Sequence, residues 1–346
     1  MTPRGEFAWI DRLVELLGPA APRCDDGERA IGDDVAVLRG PGGEAWAWTV
    51  DGMVEDVHFR FDWLEPEAVG HRALVASLSD LAAAVAEPVG ALVTVAGSAA
   101  AFEDRIEGIY RGLRALAETA ACPVLGGDLS RADGPLHLTV TALGRCPRGA
   151  PPGRGGARPG DDVWVTGRLG APAAAIALLA AAGNDPARLA AARAHPAAAR
   201  LGRPEPRLAE VAWLAARAPL HALIDVSDGV SSDLAHIADR SRVRIAIETA
   251  EMPIHPAALG AAAELGSDAD RWALHGGEEF ELLACAPPDS LAGVAAAFES
   301  RFAIPLTRIG SVEAGRGVVR RGAGPDAPLE PGGWDHFRVA PSRAAG

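Results

Sequence analysis

The sequence contains no lysine: all 33 of its basic side chains are arginine. That absence removes several routes for handling phosphate or carbonyl groups. A Walker-type phosphate loop needs its lysine, and so does the nucleotide site of a protein kinase. A Schiff-base enzyme needs a lysine amine. Any phosphate chemistry must therefore use arginine, backbone N–H groups or metal. Cysteine is scarce too. Cys24, Cys122, Cys146 and Cys285 are the four, and none forms a C-x-x-C pair, so neither a zinc site nor a disulfide framework is expected. The N-terminus has no basic flank followed by an apolar run, and Glu6 brings acid early, so no signal peptide is expected. The longest apolar run, residues 171–182, carries a proline and is too short for a bilayer. The expected protein is soluble and cytoplasmic, with no membrane partner. Positive charge is in deficit as well: the net charge is −13, which argues against a nucleic-acid partner. An acidic surface still binds polyanions where metal ions bridge the two.

What is present is globular. The chain is 49% hydrophobic and 23% charged, and its 346 residues suffice for two domains. Phe7, Ile10, Leu13, Val14 and Leu17 have helical spacing over residues 6–17. Residues 35–38 and 45–50 read as strands around the turn Pro41-Gly42-Gly43. A helix is predicted over 68–86, ending before Pro88, then a strand over 90–96, a helix over 102–121 and a strand over 136–143. The order after the opening helix is β, β, α, β, α, β. Residues 145–160 hold Pro147, Pro151, Pro152, Pro159 and five glycines, the best linker candidate. Beyond it, a strand is expected over 163–165, helices from 173 and over 208–217 and 231–240, and a strand over 243–247. Helix and loop are expected around 185–205. The expected fold class is α/β (α+β), with an N-terminal domain over 1–146 and a C-terminal domain over 147–346.

The chemical signal is a series of aspartates beside glycine or serine. They are Asp33-Asp34 after Ile31-Gly32, Asp51 after a strand, Asp80 in Ser77-Leu78-Ser79-Asp80, Asp128 after Gly126-Gly127, and Asp225 with Asp228 in Ile224-Asp225-Val226-Ser227-Asp228-Gly229. Each follows an apolar segment, which predicts carboxylates at element ends, where a scaffold can hold them. Taken singly, each reads as a turn former, a helix cap or a surface charge. As a set they suit Mg²⁺, which takes hard oxygen ligands and shares its sphere with phosphate and water. Gly126-Gly127-Asp128 reads as a turn that brings backbone N–H groups to a phosphate. Asp225-x-Ser227-Asp228-Gly229 places carboxylates and a hydroxyl before a helix N-terminus. Gly276-Gly277-Glu278-Glu279 is another glycine turn carrying carboxylates, with a hairpin loop as its plain reading.

Read in order, from Gly5-Glu6-Phe7 to Gly333-Trp334-Asp335-His336-Phe337, these motifs resemble the thiamine-monophosphate kinases of the aminoimidazole ribonucleotide synthetase superfamily. The resemblance implies a two-domain fold of that superfamily and a homodimer joined through the N-terminal sheets. It implies ATP-dependent phosphoryl transfer to thiamine monophosphate, with several Mg²⁺ ions. By the same resemblance, Asp34, Thr49, Asp51, Asp80, Asp128, Asp225 and Asp228 hold the metal cluster. Asp80, Asp128 and Asp225 carry the chemistry through it. Gly127, Asp128, Arg154 and Ser227 contact ATP, and His58, Glu278 and Trp334 contact thiamine monophosphate. The chain departs from the family pattern where glycine is usual, at Asp56 and Val85, and also at Gly52, Ser77, Leu129, Glu279 and Phe280. None of these removes a proposed metal carboxylate. Two alternatives stay open on the residues alone: a related ATP-dependent synthetase of the superfamily, and a non-catalytic nucleotide or thiamine-phosphate binding protein.

Overall fold

The computed structural model describes residues 6–20, 31–322, 324–334 and 336–337. Gly5, Cys24, Asp335 and the 342–346 tail lie outside the described residues.

The first half runs α1 (Glu6–Leu17), β1 (Ala36–Arg39), β2 (Ala45–Val54), α2 (Pro66–Ala83), β3 (Glu87–Gly97), α3 (Ala99–Thr119), β4 (Val124–Arg131) and β5 (His137–Cys146). Its five strands lie in the order β1-β2-β5-β3-β4, antiparallel except for the parallel pair β3–β4. Strand alternation sorts β2: Ala45, Ala47, Thr49 and Met53 are buried, while Trp48 and Val50 face outward. α2 and α3 cover the inner face. They approach closely because Gly70 lies against the backbone of Ile109, where a Cβ would stand 1.9 Å from the Ile109 carbonyl oxygen.

The second half contributes β6 (Asp162–Thr166), α4 (Ala171–Ala182), α5 (Pro186–Ala194), α6 (Pro196–Gly202), α7 (Leu208–Ala215), β7 (Ala222–Asp225), α8 (Val230–Ser241) and β8 (Arg244–Glu248). It continues with α9 (Pro256–Leu265), α10 (Ala269–His275), β9 (Leu282–Ala286), α11 (Ala292–Phe302), β10 (Leu306–Glu313), β11 (Gly317–Arg321) and β12 (Ala327–Pro328). The second sheet has seven strands in the order β12-β11-β8-β10-β6-β9-β7. The halves share apolar packing: one buried cluster joins Leu74 and Leu78 of α2 to Leu178 and Leu179 of α4, Ala258 of α9 and Phe280. α2 is therefore a spine, buried along most of its length between the first sheet and the second half.

Three local expectations change. Gly126-Gly127-Asp128 is strand rather than turn, inside β4, because the neighbouring β3 supplies a parallel ladder that extends through it. Asp51 lies within β2 rather than after it, since pairing with β5 carries the strand on to Val54. Asp80 sits in the last turn of α2, which stops at Ala83. That helix ends in a Schellman arrangement: the Ala86 N–H donates to the Leu81 carbonyl and the Val85 N–H to that of Ala82, both at 2.9 Å. Val85 occupies the left-handed position at φ 49°, and Asp56 has φ 66°. Both positions take a conformation suited to glycine, which is the residue usual there in the family that the sequence resembles.

Candidate active site

The two halves enclose a cleft of about 680 Å³. Its lining includes an acidic group, Asp51, Asp80, Asp225 and Asp228 with Ser227, and a mixed group, His58, Arg72, Glu278, Trp334 and His336.

In the acidic group, carboxylate oxygens of Asp34, Asp80 and Asp225 all lie within 4.8 Å of one another. They arrive from the turn before β1, the end of α2 and the end of β7. Serines of α2 hold two of the acids: Ser77 donates to Asp51 at 2.8 Å, and Ser79 donates to Asp225 across the halves at 2.6 Å. The Thr49 hydroxyl donates to Asp80. Arg154, from the segment joining the halves, donates to Asp34 at 2.5 and 3.1 Å. Its backbone N–H reaches Asp33 at 3.4 Å. This lone guanidinium does not neutralise the group. Burial, then Asp51, Asp225 and Asp34, push the Asp80 carboxyl well above the usual range. Asp225 is pushed up to about 8 by burial and then Asp34. Asp51 is raised mainly by burial. Converging oxygen donors that repel one another fit a hard divalent cation such as Mg²⁺.

The mixed group is built differently. The Val54 N–H donates to Nδ1 of His58 at 3.0 Å, which leaves the ring proton on Nε2. Burial and then the neighbouring His336 lower the His58 pKa, so the ring is neutral near pH 7. Glu278 accepts from buried Arg72 at 2.8 Å. Arg72 also donates to the Leu201 carbonyl at 2.7 Å and the His58 carbonyl at 3.3 Å, tying three segments together. The loop bearing Glu278 bonds to the segment bearing Ser227: the Glu278 N–H donates to the Ser227 carbonyl at 2.8 Å. Gly277 permits the approach, since a Cβ there would lie 2.3 Å from that carbonyl oxygen. This loop connects α10 to β9 and is not a hairpin. The Trp334 indole is 55% exposed on the rim.

The structure thus gathers Asp34, Thr49, Asp51, Asp80, Asp225, Asp228, Arg154 and Ser227 about the acidic group, and His58, Glu278 and Trp334 beside it. It does not bring in Gly127 and Asp128. Gly127 pairs with Val93, Val93 with Val140, and Val140 with Asp51, so β4 stands three strands from β2, about 14 Å. Asp128 pairs with Thr94 on the face away from the helices, is exposed, and accepts from Ser130 at 2.6 Å. Sequence reasoning missed Arg72, Ser79 and Asp233. Asp233 accepts the Gly229 N–H at 3.0 Å, and burial followed by Asp228 raises its pKa well above the usual range. Only the adjacency of Ser79 to Asp80 carried a signal. Arg72 and Asp233 resemble any polar residue on a helix.

Two sheets of this order, with an acidic cleft between their domains, belong to a known class. The chain belongs to the AIR synthase related proteins: the N-terminal domain of that family matches residues 32–146 and the C-terminal domain residues 158–322. The fold is accordingly a two-domain α/β fold of that class. Within it, the chain belongs to the thiamine-monophosphate kinase family. It is 33% identical over 331 residues to the thiamine-monophosphate kinase of Bacillus subtilis (strain 168), covering 94% of this chain and 98% of the relative. It is also similar to the solved structure of AaThiL complexed with AMPPCP and TMP, with TM-score 0.79, 31% identity and coverage of 96% and 97%. The thiamine-monophosphate kinase structure from Stenotrophomonas maltophilia K279a matches with TM-score 0.72 and 36% identity, covering 92% of this chain and 96% of that one.

Proposed function

We infer that the chain transfers the γ-phosphate of ATP to the phosphate of thiamine monophosphate, giving ADP and thiamine diphosphate. The observation that carries this is a cleft lined by both groups, in a chain 33% identical to a thiamine-monophosphate kinase over nearly its whole length. The carboxylates suit the metal-bound phosphates of ATP, and the imidazole, Glu278 and indole suit a flat cationic ring. A neighbour bound with AMPPCP and TMP supports the same pair of substrates.

Asp34, Thr49, Asp51, Asp80, Asp225 and Asp228 would hold Mg²⁺, with Asp128 left to the cluster of a second copy. Bound there, the ions would supply positive charge to the phosphate oxygens of both substrates. Arg154 adds a fixed cation beside the nucleotide, and Ser227 meets its phosphates through its hydroxyl; Gly127, like Asp128, is left to the site of a second copy. Glu278, held by Arg72, faces the cationic part of the acceptor. Trp334 offers a ring face, and His58 donates from Nε2. The acceptor phosphate has a second pKa near ~6 and is largely ionised at neutral pH, so no strong general base is needed. One of its oxygens attacks the γ-phosphorus in line, the bond to the β-phosphate bridging oxygen breaks, and ADP leaves.

A homodimer fits the uncovered sheet face, where Trp48, Val50 and Leu92 stand about half exposed or more. Such pairing would also give Asp128, remote from its own cluster, a route to that of a second copy. The reading divides the chain into domains at 1–146 and 147–346 and places it in the cytoplasm. Among the described residues, no helix is long and apolar enough to cross a membrane.

The test is ADP release from MgATP with thiamine monophosphate, against thiamine and no-acceptor controls, with the product identified by mass. Thiamine diphosphate formed from the monophosphate alone is expected. ATP and thiamine monophosphate binding without any product would overturn the reading.

A further inference from the structure

We propose that His336 is a positioning residue for the acceptor: it holds the Trp334 indole in the orientation that receives the acceptor ring. The proposal rests on the function inferred above. The segment after β12 returns across the start of α8, where three backbone bonds fix it. The Gly332 N–H donates to Ser231 Oγ at 3.2 Å, the Gly333 N–H to Ser232 Oγ at 3.1 Å, and the Trp334 N–H to the Asp228 carbonyl at 3.2 Å. The backbone of Trp334 is thereby tied to the segment that carries Ser227 and Asp228. Among the described residues its side chain has less support, for Trp334 is 55% exposed.

What orients the indole is His336. Trp334 Nε1–H donates to His336 Nδ1 at 3.3 Å, and the two rings stand perpendicular at 88°, with centroids 5.7 Å apart. On its other side His336 meets His58 of the first half, ring centroids 4.9 Å apart and tilted by 47°. The imidazole, though exposed, thus bridges the Trp334 indole and His58 of the first half. Because Nδ1 accepts from the indole, the ring proton of neutral His336 sits on Nε2. An indole held in advance loses little rotamer freedom when a ring binds, whereas a free one must be ordered at that moment.

This predicts a defect confined to the acceptor. Steady-state kinetics on the full chain, with thiamine monophosphate and MgATP varied separately, compare wild type with H336A, H336N, W334A and H336A/W334A. H336A should raise the KM for thiamine monophosphate roughly fivefold, the scale of one neutral hydrogen bond and an ordered side chain. The KM for MgATP and kcat should stay within about twofold, a split that loss of structure would not give. H336N keeps a polar acceptor near the Nδ1 position and should restore most of the loss. Adding H336A to W334A should change nothing further. An unchanged acceptor KM in H336A, a parallel fall in every parameter, or an undiminished H336A effect without Trp334 would each overturn the proposal. The wild type separates the two possible failures. No thiamine diphosphate from wild type sinks the functional reading and this proposal with it. Active wild type with an indifferent H336A sinks the proposal alone.

Discussion

Replacing Asp225 by asparagine is expected to stabilise the metal-free protein while silencing it. Asp225 is 2% exposed, and its carboxyl is pushed from 3.8 to about 8, first by burial and then by Asp34. In the unfolded chain the same group ionises freely. At pH 7 the native state therefore forgoes roughly three pH units of ionisation, at ~1.36 kcal/mol each, a ceiling of about 4 kcal/mol. Asparagine avoids that term and, like the protonated carboxyl it replaces, offers the Ser79 hydroxyl a neutral acceptor. The gain therefore has the same ceiling, about 4 kcal/mol. The sign follows from a raised native pKa: the penalty is absent below about pH 4, grows as pH rises and levels off above about pH 8. Urea unfolding in EDTA, run from pH 4 to 8, measures it directly. The midpoint of D225N should match wild type at pH 4 and exceed it at pH 7. Mg²⁺ should then raise the wild-type midpoint more than that of the variant, and turnover of the variant should fall on the order of a hundredfold. A D225N midpoint at or below wild type in EDTA at pH 7 would show that the carboxylates are not in electrostatic conflict, and the argument for a metal cluster would lose its physical basis.

Val85, at φ 49°, inverts the usual ranking of glycine and alanine. V85G should be more stable than V85A by about 1 kcal/mol, against the opposite order in a helix interior; urea midpoints decide, and a more stable V85A refutes the strain. Gly70→Ala places a methyl 1.9 Å from the Ile109 carbonyl oxygen and should destabilise by about 3 kcal/mol as α2 and α3 part, read by thermal unfolding. Trp48→Asp puts charge on the uncovered sheet face. Light scattering should show a dimer becoming a monomer with unchanged circular dichroism, and activity should fall as well; a monomeric wild type would end the dimer proposal.

Much of the local structure was legible because it rests on side-chain period alone. The 6–17 helix and the strands over 36–39 and 45–54 follow from which residues avoid water. β4 was not legible. Gly126-Gly127-Asp128 has the composition of a turn, and only the ladder from β3 makes it a strand. Nor was the packing between the halves legible: apolar residues of α2 and α4 share one buried cluster. No periodicity within either segment records that partnership.

The sequence by itself determined the chemical vocabulary: oxygen ligands in place of lysine, a repeated aspartate–glycine pattern, and an ordered series of motifs that identified the family. Tertiary structure decided which of those residues meet. Asp34, Asp80 and Asp225 converge from a turn, a helix and a strand. Arg72 reaches Glu278 across 206 residues. His336 lies against His58 from the far end of the chain. Asp128, as marked in the sequence as any of the aspartates, is carried by β4 to the opposite sheet face. The physical reason is that a carboxylate's neighbours in sequence fix its local conformation, whereas its charge state and ligands depend on groups that only the packing of α2 between the two halves brings together.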